Sequence, residues 1–190
     1  MGHGDQNINL PGDHNFSPDP KRVQELMALI DGPFHLGKPA TDREAWDAIR
    51  SSQLGEQLLH EARKANELEP LNCFTNEDCL YVIETQDRAP FDKLRVPVAP
   101  RQVLLPIAEC LEPDGQYLPR IEEGIQQLCA VNSWTFPLHQ LGRKLYDREA
   151  YFVDLVSTHY AGNLTSTLHL LEDRLKPKTC QLIRDEIETR

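Results

Sequence analysis

The chain has 190 residues, with 30 acidic against 20 basic side chains and a formal net charge of −10 at pH 7. That balance argues against nonspecific binding to nucleic acid or to an anionic membrane surface, because both draw on a basic surface that releases counterions. Hydrophobic residues make up 39%, enough for one folded core, and no apolar run is long enough to span a bilayer.

The first seventeen residues, rich in Gly, Asn, Asp and Pro, read as a disordered segment, with a helical domain expected over 18–190. They have neither the basic nor the apolar region of a signal peptide, which taken literally places the chain in the cytoplasm. "SPDPKRVQELMALI" then has helix-start chemistry. Ser17 or Asp19 can cap, a proline suits the first turn, and Val23, Leu26, Met27 and Ile30 recur at helical spacing. "DGPFHLGKP" ends that helix. "TDREAW" offers a Thr41–Glu44 capping box opening a helix that runs toward Leu68. Its apolar side is Trp46, Ile49, Leu58, Ala62 and Ala65, and Ser51, Ser52 and Gly55 mark a bend or break.

The stretch from Glu69 to Val98 is the least regular. "CLYVIET" has the β-branched and aromatic content of a strand but also fits a helical turn. In "APRQVLLPIAECLEP", Val103, Leu104, Ile107, Ala108 and Leu111 share one helical face, and Pro106 predicts a kink or a delayed start. The next helix, in "YLPRIEEGIQQLC", carries Ile121, Ile125, Leu128 and Cys129 on one side. The clearest helix is "DLVSTHYAGNLTSTLHLLEDRL". Val156, Tyr160, Leu164, Leu168, Leu171 and Leu175 step by three or four, and Asp154 is placed to cap it. A last helix begins at Pro177, with Cys180, Ile183 and Ile187 as its stripe and no later element to cover them. The chain is therefore expected to be all-α, built of antiparallel helical hairpins.

Five cysteines are scattered without a CxxC pair or zinc-type spacing to His. Cys110 and Cys129 fall on apolar faces and read as small buried hydrophobes, while Cys73 and Cys79 flank a turn and could bridge in an oxidising compartment. A Gly-rich phosphate loop, a GxSxG motif and a His/Glu metal pair are all absent from the sequence, so no cofactor and no metal is expected. Asn163–Thr165 matches a glycosylation sequon but falls inside a helix, and His159 and His169 on that helix read as packed or surface residues.

"VNSWTFPLHQ", Val131 to Gln140, places a Trp, a Phe, a Pro and a His in one interhelix link. Such a segment either tucks into the core or lines a cleft. In the first case Trp134 and Phe136 fill space between hairpins and His139 caps a backbone carbonyl. In the second, Trp134 stacks on a sugar ring and His139 bonds hydroxyls or a carboxylate. Arg143, Lys144 and Arg148 just beyond form a basic cluster that could attract a polyanion.

From about Val98 to Arg190 the order of features resembles the N-terminal helical region of the heparinase II/III-like polysaccharide lyases. The elements are a Tyr-containing helix ("YLPRIEEGIQQLC"), Trp134, "PLH" at Pro137–His139, "VDLVSTHYAGNL", and "DRLKPKTCQLIRDEIETR". The resemblance implies part of an (α/α) toroid, followed in the family by a β-sandwich domain. It implies β-elimination on an acidic, uronic-acid-containing polysaccharide such as a glycosaminoglycan or alginate, in the periplasm or outside the cell. The family's Asn-Asn-His stretch and catalytic Tyr would fall after Arg190. No catalytic residue is therefore carried over, and this part alone is expected to be inactive. Trp134, His139 and Arg143 are the expected substrate contacts. The alternative is a self-contained helical-hairpin module that binds a protein partner without catalysis.

Overall fold

The computed structural model describes residues 19, 21, 24–25, 37–68, 75–140 and 153–189, with the backbone alone at 94–97, 99, 100 and 140. The chain divides into two units, Met1–His35 and Leu36–Arg190. In the first, the Asp19 carboxylate accepts the Lys21 backbone N–H at 3.0 Å, the interaction expected of a cap at that helix start. Residues 1–17 and the stripe of Val23, Leu26, Met27 and Ile30 lie outside the described residues.

The described part of the second unit is all-α: seven α-helices, one 3-10 turn and no strand. In chain order these are α1 (Arg43–Arg50), α2 (Gln53–Asn66), α3 (Asn76–Thr85), α4 (Ala89–Leu111), α5 (Leu118–Ala130), the 3-10 turn (Pro137–Gln140), α6 (Leu155–Leu171) and α7 (Pro177–Thr189). "CLYVIET" thus belongs to a helix. Thr75 and Asp78 close a reciprocal capping box at its start, and this settles the local conformation over the β-leaning composition.

The helix expected from Thr41 toward Leu68 breaks where Ser51, Ser52 and Gly55 marked a bend or break, giving two helices. Asp42, not Thr41, caps α1, its carboxylate accepting from Ala45 N at 3.3 Å. Ser52 then stops one helix and starts the next. Its hydroxyl lies 2.6 Å from Ile49 O and accepts from Gly55 N at 3.2 Å.

Helix α4 is the centre of the unit, packed by α1, α2, α3, α5 and α6. It starts at Ala89, well before the delayed start that Pro106 suggested, with a proline in its first turn. Pro106 has no N–H, which leaves the Gln102 carbonyl without its helical donor. The buried Thr167 hydroxyl of α6 donates to that carbonyl at 3.3 Å, so the helix runs on. Being central, α4 is buried on more than the expected stripe. Arg101, Leu105, Ala108, Glu109, Cys110 and Leu111 are inside, whereas Val103, assigned to the apolar face, is exposed.

The other stripes match their helices more closely. Ile121, Ile125, Leu128 and Cys129 of α5 are buried, as are Tyr160, Leu164 and Leu171 of α6 and Leu175 just after it. The last helix does not lack a cover. It packs on α5 and α6, Cys180 and Ile183 are inside, and only Ile187, 36% exposed, remains at the edge. Cys79, Cys110 and Cys180 are buried free thiols, so Cys79 forms no bridge; Cys129 is buried, and Cys73 lies outside the described residues. Burial pushes the Cys79 and Cys110 thiols up to about 12, which makes them poor nucleophiles.

Charged side chains tie helix ends to distant helices. Arg43 donates to Cys110 O at 2.6 Å, near the end of α4. Arg101 reaches Leu68 O just past α2, and Arg120 donates to Asn66 O at 3.4 Å. In the opposite sense, the Glu122 carboxylate of α5 accepts the Lys176 backbone N–H at 2.9 Å and pairs with the Lys176 ammonium, which opens α7. Cations thus meet carbonyl ends and a carboxylate meets an amide end, as the helix dipole favours.

Candidate functional site

The link between α5 and α6 brings two of the three expected site residues into view. The Trp134 indole is only 3% exposed. Its N–H donates to Leu128 O at 3.0 Å, and its ring meets Tyr160 edge-on at 6.5 Å. No open face remains on which a sugar ring could stack, which corrects the expectation for Trp134. The cause is local: the indole needs an acceptor and an apolar envelope, and the last turn of α5 with Tyr160 of α6 supplies both.

His139 is different. It sits on the 3-10 turn, 47% exposed, with Nδ1 2.7 Å from Oδ2 of Asp154, whose own side chain is only 5% exposed. It therefore bonds a carboxylate rather than the backbone carbonyl expected of a packed link. A carboxylate only accepts, so Nδ1 carries the hydrogen. Nε2 is then an acceptor on the neutral ring and a donor on the charged one. Arg143, with Lys144 and Arg148, lies outside the described residues.

Sequence reasoning assigned Asp154 the role of cap, and it is one. Oδ1 accepts from Val156 N at 3.0 Å and Ser157 N at 2.9 Å. Oδ2 also accepts from Phe136 N at 2.9 Å, so one carboxylate holds the start of α6, the link and the imidazole together. Eighteen residues separate Asp154 from Phe136, and no short-range signal marks that contact. Phe136 is the platform beneath. Its ring is 4.9 Å from that of Phe91 on α4 and 5.1 Å from the imidazole, and the Arg88 guanidinium lies over it at 5.3 Å. Arg88 is held by a two-pronged pair with Asp92 at 2.8 and 3.0 Å. The result is an exposed imidazole oriented by a buried carboxylate, an arrangement suited to hydrogen-bonding a hydroxyl or an anion.

Burial raises the proton affinity of the Asp154 carboxyl. The backbone N–H groups of Ser157 and Phe136 and the His139 ring outweigh that, and hold it below the ordinary carboxylate range. A lowered folded-state value contributes stability above the unfolded value of about 3.9, and that contribution is lost as pH falls through the folded value. Asp154→Asn keeps a capping oxygen but loses the second acceptor for Phe136 N and His139 Nδ1, so it should cost about 1 kcal/mol near pH 7, and the gap to the parent chain should close below about pH 4. Urea unfolding across pH checks this; a gap that is constant down to the acid limb would refute it.

Among the described residues no group of three or more His, Cys, Asp or Glu is placed to hold a metal ion, and no helix is long and apolar enough to cross a membrane. His159 is exposed, and His169 bonds the Gly37 carbonyl at 3.0 Å. Asn163 of the sequon points its amide nitrogen at Gln102 Oε1, 3.2 Å away, inside the unit. A scan against protein-family models finds no match, and a search of the curated proteins likewise finds none that matches this chain.

Proposed function

We propose that this chain is the N-terminal helical part of a heparinase II/III-like polysaccharide lyase, part of an (α/α) toroid that forms one wall of a substrate cleft. The whole enzyme would cleave a uronic-acid-containing polysaccharide by β-elimination outside the cytoplasm, with its catalytic groups and β-sandwich beyond this part. The all-α architecture and the order of Tyr-containing helix, Trp, Pro–x–His and capped helix support the reading.

The observation that carries it is the His139 imidazole, held by Asp154 and 47% exposed. Its Nε2 can bond a sugar hydroxyl when the ring is neutral and a uronate carboxylate when it is charged. Arg143 remains a proposed second contact; Trp134 acts behind the surface by fixing the link.

The test is binding of defined uronate oligosaccharides, from alginate and from heparan sulfate, followed by calorimetry at low salt. His139→Ala should weaken binding about tenfold, and Asp154→Asn should do so to a similar extent, because it frees the ring. Higher salt should weaken binding further. Binding indifferent to both substitutions, or absent at low salt, would remove the proposal.

A further inference from the structure

Helix α6 is 17 residues long and contains no Asp, Glu, Lys or Arg, in a chain whose formal net charge is −10. Its solvent side therefore carries no fixed charge. Leu155, Gly162, Ser166 and His169 step by seven, four and three along that side. Leu155 is 84% exposed, the most open of the exposed large apolar side chains among the described residues. Gly162 is exposed too, and a Cβ there meets nothing within 4 Å.

The hydroxyls on this side donate inward. Thr158 Oγ1 donates to Asp154 O at 3.0 Å, Thr165 to Ala161 O at 2.8 Å and Ser166 to Gly162 O at 2.8 Å. Covering them strands no donor, so the face is easier to dry than its composition suggests. Beside its C-terminal half a cavity of ≈ 270 Å³ opens between α6, α4 and the segment that precedes α1. Exposed Val103 and half-buried Ile107 and Ser166 form its rim, and buried Trp46, Pro106 and Leu170 line it further in. No charged side chain is among its walls.

We infer that α6 is the contact face of a symmetric dimer of this chain, with the two copies of the helix crossing antiparallel at Gly162. Leu155 and the cavity are its complementary parts. Leu155 stands seven residues before Gly162, about 10 Å along the axis, while Ser166 and Leu170 stand four and eight after it, about 6 and 12 Å. A two-fold axis through Gly162 therefore sets the Leu155 side chain of each copy level with the cavity of the other. The same operation makes the contact twice, as a closed two-fold pairing requires. With no side chain at the crossing, the two helices can approach closely. Two chains of like net charge repel where ionised groups meet, and this helix brings none together. A contact one helix wide is small, so the dimer is reversible, with a dissociation constant on the order of 0.1 mM. The inference stands independently of the lyase reading.

Sedimentation equilibrium of the full chain between about 10 μM and about 1 mM tests this, and a reversible monomer–dimer equilibrium is expected. Leu155→Ala removes the inserted side chain and should weaken the dimer about tenfold or more. Gly162→Glu has room in the single chain, but it sets two carboxylates against each other at the crossing and should leave monomer alone. Val103→Trp, at the exposed rim, blocks the cavity and should act as Leu155→Ala does. Thermal melts like the parent's show that the variants are folded. Leu155→Ala mixed with Val103→Trp should associate about tenfold more tightly than either variant alone, because the mixed pair regains one leucine over one open cavity. A parent chain still monomeric at about 1 mM overturns the inference. So does a dimer indifferent to Gly162→Glu, or a mixture no tighter than its components.

Discussion

Glu109→Ala should lower the unfolding free energy of this unit by about 3 kcal/mol, read as a shifted urea midpoint at unchanged slope. The Glu109 side chain is fully buried. Its Oε1 accepts from Arg174 Nε at 3.0 Å, Arg174 Nη2 at 2.7 Å and Gly115 N at 3.1 Å, and Oε2 from Tyr117 N at 3.4 Å. Removal would orphan an arginine and two backbone donors together. The lower end of the range of about 3–5 kcal/mol for a broken buried pair applies, because Arg174 is 24% exposed and keeps its bond to Pro113 O at 2.9 Å. Glu109→Ala with Arg174→Ala should cost less than the two single changes added, since the second no longer leaves a charge unmatched. A loss under about 0.5 kcal/mol for Glu109→Ala would show that the carboxylate is not holding these groups.

Gly55→Ala is expected to destabilise by about 1–3 kcal/mol, against the sign of helix propensity. In a helix interior, Gly to Ala ordinarily gains up to about 1 kcal/mol. Here a Cβ would stand 2.3 Å from Ile49 O, 2.9 Å from Arg50 Cα and 3.0 Å from Arg50 O, all backbone atoms of α1 or its end. Backbone cannot swing aside as a long side chain can, so α1 and α2 would have to part. Gly124 on α5 is the control. A Cβ there meets nothing within 4 Å, and Gly124→Ala should be neutral or stabilising. Thermal melts of the two variants should move in different directions; a rise for both would refute the close approach.

The helices were legible where one side of a helix meets the core and the other meets water. The stripe on α6 and the cap at Asp154 follow from spacing and side-chain chemistry within a few residues. Legibility failed where the deciding partner is remote. Thr41 reads as the cap from its spacing to Glu44, and only the chain path gives that place to Asp42. Pro106 reads as a kink or a delayed start until Thr167 meets the carbonyl it strands. Val103 and Leu105 are alike to a hydropathy pattern, and only the position of α4 among its neighbours tells which is inside. The same holds for the candidate site. Trp134 and His139 are three and eight residues beyond Val131, yet one is sealed and the other open. The difference lies with the acceptors that Leu128 and Asp154 provide.

The charges that cross between helices have a further bearing on how the unit comes apart. Helix ends ordinarily fray first, because their outer amides and carbonyls have only water to replace. Here amides just before α5 and α7 are held by Glu109 and Glu122, and carbonyls at or just past the ends of α2 and α4 by Arg101, Arg120 and Arg43. Loosening any one tip exposes an ionised group rooted in another helix. Local breathing is thereby made as costly as separating two helices, and the unit gives way as a whole rather than by peeling from its ends.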